Sequence, residues 1–179
     1  NAFAQLRLEL FSEYESMDTD SIISSALDIY SDESTIKNEF GDVLKINSEK
    51  EEIKKILNNL FYDVLNIEFN LWPWIRNMVK YGDFYLKMNI LEKVGVVNVE
   101  PVSVYEMIRE EGTDPSKPEY VRFLHDPSFG GATSNYHKPA GSKTYFENYE
   151  IAHFRMLSDT NFLPYGKSML EGARKTWKQ

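Results

Sequence analysis

The stretch "NLWPWIRNMVKYGDFYLKMNIL", residues 70–91, decides the fold because its hydrophobic period changes halfway along. Before Gly82 the apolar residues recur at helical spacing, which predicts a helix with Asn70 as its N-cap and Pro73 in its first turn. Gly82 is expected to end that helix. From Asp83 onward the spacing becomes alternating, which predicts a strand. Helix is therefore expected to give way to sheet at Gly82.

Three more helices are predicted on the N-terminal side of this stretch. Apolar spacing predicts helices over residues 2–14 and 49–65, and Asp20 can cap a helix that ends at about Asp32. The apolar face of this Asp20-capped helix is wide, so we expect it to be buried on most sides. That face comprises Ile22, Ile23, Ala26, Leu27, Ile29 and Tyr30. Between the last two helices, "FGDVLKIN" at residues 40–47 predicts a short strand.

Three more alternating segments follow residues 83–91. They are "GVVNVEPVSVYEMIRE" at 95–110, "EYVRFLHD" at 119–126 and "KTYFENYEIAHFRML" at 143–157. Four successive strands with short turns predict a mainly antiparallel sheet, so the expected fold class is α+β. The helical part spans residues 1–82 and the strand-rich part spans residues 83–164. The intervening "PSFGGATSNYHKPAGS" at 127–142 is rich in Gly, Ser and Pro, which predicts a mobile surface loop.

The composition argues against several classes of function. With 20 Lys and Arg against 28 Asp and Glu, the formal net charge is −8, which disfavours a broad surface for binding phosphate backbones. The chain has no cysteine, so it can form no disulfide, and a reducing compartment is expected. Its first residues fit neither a membrane span nor a signal peptide. Because the chain does not begin with Met, we expect it to be a piece of a longer protein.

Tyr165-Gly166-Lys167-Ser168 resembles the end of a phosphate-binding loop. The full pattern requires a glycine five positions before Gly166, where this chain has Asn161, and the residues between are bulky or lack an N–H donor. A turn that leads into a helix is the simpler interpretation. A nucleotide-dependent enzyme built on Gly166, Lys167 and Ser168 stays open as an alternative function.

No other pattern indicates chemistry. His125, His137 and His153 lack the spacing of a metal site, and we interpret them as partly buried structural residues. The carboxylates are scattered or lie on helix surfaces, and no nucleophile motif occurs. We therefore predict no catalytic, cofactor-binding or metal-binding residues, no cofactor and no enzymatic activity.

An aromatic cluster is the most prominent feature of the helical part. Its members are Phe69, Trp72, Trp74, Ile75 and Tyr81. Such clusters more often form a core or a subunit contact than a cofactor site, and we predict those roles here. A stand-alone α+β module that binds a partner through Trp72 and Trp74 is a second alternative.

Four segments together resemble one protein family. They are "ALDIYSDEST", "LFYDVLNIEFNLWPWIRNMVKYGDFYLKM", "VEPVSVYEMIREEG" and "YEIAHFRMLSDTNFLPYGKSMLEGARKTWKQ". In this order they resemble the portal vertex protein of tailed bacteriophages, in particular the large contractile-tailed myovirus type. The resemblance spans nearly the whole chain except residues 127–142. It implies that residues 1–164 form the N-terminal part of the portal wing and that residues 165–179 lead into a long stem helix, truncated here.

The resemblance also implies a function. Portal subunits form a dodecameric ring at one capsid vertex of the virion, through which double-stranded DNA is packaged and ejected without sequence-specific binding. The ring initiates head assembly and attaches the neck and tail, while a separate terminase motor hydrolyses ATP. Implied partners of the full-length protein are other portal subunits, the terminase, major capsid or scaffold proteins and neck proteins. Synthesis in the host bacterial cytoplasm and no membrane association are expected.

Overall fold

The computed structural model describes residues 2–129, 142–156 and 162–179, and it has the predicted α+β order. The helices are α1 (Ala2–Asp18), α2 (Ser21–Ser34), α3 (Glu51–Asn58), α4 (Ile67–Tyr81) and α5 (Glu171–Trp177), and a π-helix, Asn59–Val64, continues α3. The strands are β1 (Asp83–Leu91), β2 (Gly95–Val102), β3 (Met107–Glu111), β4 (Val121–His125), β5 (Thr144–Glu147) and β6 (Ile151–Arg155). The predicted fold class is confirmed.

The second helix begins where the sequence predicts but is buried less than expected. The Asp20 side chain caps α2 by accepting hydrogen bonds from the backbone N–H groups of Ile22 and Ile23, at 2.9 and 3.4 Å. The expectation that the apolar face is buried on most sides is wrong, because Ile22 is 80% and Ile29 59% exposed. The helix packs on one side, against α4 and α1. Its apolar stripe is wider than that contact.

The predicted strand at residues 40–47 does not form. The segment is irregular, and the backbone N–H groups of Val43 and Leu44 donate to the Glu68 carboxylate at 2.7 and 3.0 Å. A side chain of α4 thus takes the place that a neighbouring strand would fill. The helix predicted over 49–65 is present, and its C-terminal part is wound as the π-helix.

Helix α4 ends as predicted but begins earlier. Gly82 has φ +86° and donates its N–H to the Met78 carbonyl at 2.7 Å, a left-handed C-cap. The N-cap prediction for Asn70 is wrong, because the helix begins at Ile67 after Asn66, whose φ is +45°. Pro73 therefore lies inside the helix and not in its first turn. The left-handed residue Asn66 separates α4 from the π-helix, a break that apolar spacing does not reveal.

The strands form two three-stranded sheets where one sheet was expected. Their orders are β2-β1-β6 and β3-β4-β5, and every described pairing is antiparallel. The strands predicted at 95–110 and 143–157 are each divided by a turn. In the first turn the Glu106 N–H donates to the Ser103 carbonyl at 3.1 Å, and in the second the Glu150 N–H donates to the Glu147 carbonyl at 3.0 Å. Each turn sends the chain from one sheet to the other.

The main core lies where the two sheets meet α1, α2 and α4. Buried side chains of this core include Phe11, Tyr14, Met17, Leu27, Tyr85, Met107, Phe123 and Ile151. A second cluster of Trp74, Phe84 and Leu86 lies between α4 and β1. Both clusters draw on the stretch 70–91, which accounts for its influence on the fold.

Most of the predicted loop at 127–142, and with it His137, falls outside the described residues. No helix within the described ranges is long and apolar enough to cross a membrane.

Candidate functional site at the exit of the chain

Two glycines bring distant parts of the chain into backbone contact just before the last helix. A Cβ on Gly166 would lie 1.9 Å from the Gly82 carbonyl oxygen, and a Cβ on Gly82 would lie 2.7 Å from the Lys167 carbonyl carbon. Neither position has room for a larger residue. We call this contact, formed by Gly82, Asp83 and residues 166–170, the exit crossing.

Backbone hydrogen bonds fix the exit crossing onto α4 and β6. The Met156 N–H donates to the Gly82 carbonyl at 2.8 Å, and the Lys167 N–H donates to the Met156 carbonyl at 3.1 Å. The Met169 N–H donates to the Val79 carbonyl at 3.0 Å. The last carbonyls of a helix have no partner within that helix. Residues of the exit crossing therefore complete the C-terminus of α4.

Asp83 is the polar centre of the exit crossing. Its carboxylate accepts from the Arg7 guanidinium at 3.1 Å and from the Gly166 N–H at 2.9 Å, and one of its oxygens lies 2.8 Å from Nε2 of His153. The residue is 1% exposed, and a buried carboxylate is tolerated only when it is well partnered. The Arg7 guanidinium carbon also lies 3.4 Å from the centre of the Tyr165 ring. One side chain thus joins α1, β6 and residues 165–170, which we call the exit segment.

The last helix is tied to the first by a second polar group. The Tyr14 hydroxyl donates to the Glu171 carboxylate at 2.6 Å, and burial followed by this hydrogen bond raises the pKa of Tyr14 well above its ordinary value. Arg174 forms ion pairs with Glu13 and Glu171, both at 2.8 Å. Helix α5 is therefore held against α1.

A third polar group joins α1 to α4. The Asp18 carboxylate pairs with Arg76 at 2.8 Å and with Lys80 at 2.9 Å, and Arg76 also pairs with Asp28 at 2.6 Å. The Arg76 hydrogen bonds hold the pKa of Asp18 well below its usual range. This group positions the helix that carries the aromatic cluster.

The Gly-Lys-Ser segment is committed to the fold. The Gly166 N–H donates to Asp83 and the Lys167 N–H to Met156, so neither points to a ligand. Ser168 is 3% exposed, and its hydroxyl contacts the Lys80 carbonyl and accepts from the Leu170 N–H at 2.9 Å. A phosphate cradle needs such N–H and hydroxyl groups to be available. The segment is the turn that the simpler interpretation anticipated.

The five predicted core or contact residues lie in different environments. Trp74 is buried, with its ring centre 6.0 Å from that of Phe84. Ile75 is half-buried against the main core, and Trp72 is half-buried and donates its indole N–H to Asp32 at 2.7 Å. Tyr81 is half-buried and donates its hydroxyl to Glu15 at 2.8 Å. Phe69 is 78% exposed.

A wholly apolar groove of about 210 Å³ lies beside Trp74. It is lined by Leu44, Phe61, Ile67, Leu71, Trp74, Ile75, Met78, Phe84, Leu86 and Phe154. Helix α4, the sheet β2-β1-β6 and the π-helix all contribute to it, and Phe154 is 46% exposed at its edge. Such a groove can take up another apolar side chain but offers no group for chemistry.

His125 and His153, the two histidines within the described ranges, have carboxylate partners. Nε2 of His125 lies 2.9 Å from the Glu106 carboxylate, and His153 contacts Asp83. Within the described ranges, no three His, Cys, Asp or Glu side chains are grouped so as to hold a metal ion.

Sequence reasoning missed Asp83 and Arg7 as site residues. One signal was present: Asp83 stands between the helix-ending Gly82 and the apolar residues 84–86. A charged residue at the start of a buried strand needs a partner, but sequence does not say which of the 20 basic residues supplies it.

Comparison with known proteins identifies the family. The chain matches the family described as "Bacteriophage T4-like portal protein (Gp20)" over residues 7–179, whereas no curated protein gives a significant match. The match covers the exit crossing, all three polar groups and the aromatic cluster, and it confirms the resemblance seen in the sequence. The chain therefore belongs to the T4-like bacteriophage portal proteins, a family with a structural and not an enzymatic role in the phage capsid.

Proposed function

We propose that the parent protein of this chain assembles into a dodecameric ring at one capsid vertex. The ring forms the channel through which double-stranded DNA is packaged and ejected, initiates head assembly and holds the neck and tail. The family match over residues 7–179 is the observation that carries this proposal. The terminase, capsid or scaffold proteins and neck proteins are the other partners, the host bacterial cytoplasm is the site of synthesis, and no membrane contact is needed.

Within this proposal, residues 1–164 act as a wing domain and residues 165–179 as the lead-in to a stem helix. The hydrogen bonds of the exit crossing support this division, because they hold residues 166–170 on α4 and β1 directly ahead of α5. The ion pairs of Arg174 with Glu13 and Glu171 orient α5 further. A rigid junction of this kind suits a subunit that must present its stem at one angle in every copy of a ring.

Two features of the aromatic cluster support a contact between subunits. Phe69 is a large apolar side chain that is 78% exposed, and helical spacing places it on the opposite side of α4 from Ile67 and Leu71, which line the apolar groove. Trp74 and Ile75 line that groove from within the fold. We assign Trp74 to the core and Phe69 to the contact with a neighbouring subunit.

The charge of the chain is compatible with a DNA channel. Each basic contact with a phosphate adds affinity, so a conduit through which DNA slides benefits from few such contacts. The formal net charge of −8 meets this condition. No step of ATP hydrolysis is assigned to this chain.

Native mass spectrometry and electron microscopy of the full-length parent test the proposal. We expect a closed ring of twelve subunits, and a protein that stays monomeric at high concentration would contradict the proposal. Replacing Phe69 by Ser in that protein should weaken ring assembly. The matched control is Tyr149→Ser, which alters a residue of similar exposure, 68%, in the turn before β6. Equal assembly of both variants would remove Phe69 from the proposed contact.

A further inference from the structure

The contacts of Asp83 and His153 lead to an inference that is independent of ring formation. We infer that these two side chains form an acid-sensitive latch, which holds the exit segment on the α4–β1 corner at neutral pH and releases it when His153 gains a proton. The latch comprises Asp83, His153 and the Gly166 N–H. It is a conformational device within one chain.

The position of His153 determines its tautomer. Its side chain is 3% exposed, with Nε2 2.8 Å from Asp83 Oδ1 and Nδ1 3.4 Å from the Arg109 guanidinium. The carboxylate can only accept and the guanidinium can only donate. The neutral ring with its proton on Nε2 satisfies both neighbours.

Several charged or titratable groups face this ring from the elements around it. Arg109 lies on β3 and Arg155 on β6, while Arg7 reaches the same carboxylate from α1. The Tyr85 ring of β1 stacks on the imidazole, with ring centres 4.4 Å apart, and the Tyr165 ring lies at 6.3 Å. Burial, together with Arg109 and Arg155, holds the pKa of His153 below its ordinary value despite the opposing hydrogen bond to Asp83.

A second proton on His153 creates a conflict at Nδ1. That nitrogen becomes a donor, so two donors and two positive charges meet between His153 and Arg109. The Arg109 guanidinium is held by Glu111 at 2.6 Å, so the conflict is relieved when the His153 ring moves. Movement of the ring disturbs the exit segment, because the ring shares Asp83 Oδ1 with the Gly166 N–H.

The direction of the pH effect follows from proton linkage. The open latch exposes His153, which then titrates near its ordinary pKa of about 6.5, whereas the closed latch resists protonation. Closure is therefore fully favoured above about pH 7, and it weakens as the pH falls through the ordinary histidine range. The weakening stops once the pKa of the closed state is passed.

Hydrogen exchange in the 179-residue chain tests the inference. The protection factors of the Gly166, Lys167 and Met169 amides, corrected for intrinsic exchange, are compared between about pH 7.5 and about pH 5.5. We expect these factors to fall roughly threefold to tenfold at the lower pH. Amides in the middle of α2 serve as the internal reference and should keep their protection.

Two variants separate His153 from other groups that bind protons. His153→Gln removes the titrating ring and should abolish the pH effect, whereas the control His125→Gln should retain it. If His153→Gln does not fold, a nuclear magnetic resonance titration of the wild-type His153 ring replaces it, and the midpoint must coincide with the loss of protection. Protection that is constant with pH, or a pH effect that persists without His153, would overturn the inference whether or not the parent protein forms rings.

Discussion

Replacing Gly166 by Ala is the sharpest test of the exit crossing. The new Cβ would lie 1.9 Å from the Gly82 carbonyl oxygen and 2.8 Å from the Met156 nitrogen. Since favourable contacts between heavy atoms lie at about 3.5 Å, one backbone must retreat by more than about 1 Å. That shift breaks the hydrogen bonds that Met156, Gly166 and Lys167 donate across the crossing.

The cost can be estimated from these contacts. Three hydrogen bonds at about 1 kcal/mol each, with about 1 kcal/mol or more of overpacking, lower the free energy of unfolding by about 4 kcal/mol. Urea denaturation followed by circular dichroism measures this change. Gly172→Ala is the matched control, because its Cβ meets open space and a helical Gly→Ala change stabilises by up to about 1 kcal/mol. A Gly166→Ala variant within about 0.5 kcal/mol of wild type would refute the close crossing.

Three further predictions concern the helical part. Trp74→Ala should lower the free energy of unfolding by about 3 to 5 kcal/mol, whereas Phe69→Ala in the isolated chain should lower it by less than about 0.5 kcal/mol. A thermal melt that is unaffected by the Trp74 substitution would contradict the burial of Trp74. Asp20→Ala removes the cap of α2 and should lower the free energy of unfolding, measured by urea denaturation, by about 1 kcal/mol. An unchanged free energy of unfolding would show that the cap does not contribute. Because Arg76 lowers the pKa of Asp18, the stability supplied by Asp18 is present above its ordinary pKa of about 4 and is lost as the pH falls further. The stability difference between wild type and Asp18→Asn should therefore shrink between about pH 5 and pH 2, and a constant difference would argue against the ion pair.

Local signals predicted the elements that depend on few neighbours. Gly82 ends a helix and Asp20 begins one because each acts through its own backbone or side chain. The same reasoning failed at residues 40–47, where the partner of the backbone is the Glu68 carboxylate and not a strand. It also failed on the outer face of α2, since apolar spacing shows that a stripe exists but not how much of it a neighbour covers.

The candidate site depends on contacts between distant residues, and for that reason the sequence revealed little of it. Gly166 was noticed only as part of a possible phosphate loop. A glycine is required at this position because the Gly82 backbone lies too close to leave room for a Cβ. The partnership of Asp83 with Arg7 joins positions 76 residues apart. Trp74 was included among the core or subunit-contact candidates because a large aromatic residue at helical spacing is informative by itself.

The way the exit crossing is bonded determines how the chain would carry mechanical load. A pull on α5 does not pass straight back along the polypeptide into β6, because residues 166–169 are held by Asp83 and by the end of α4. Tension entering at the last helix is shared with α1 through Glu13 and Tyr14. Through the exit crossing it is also shared with β1 and α4, as in the Gly166–Asp83 bond between positions 83 apart.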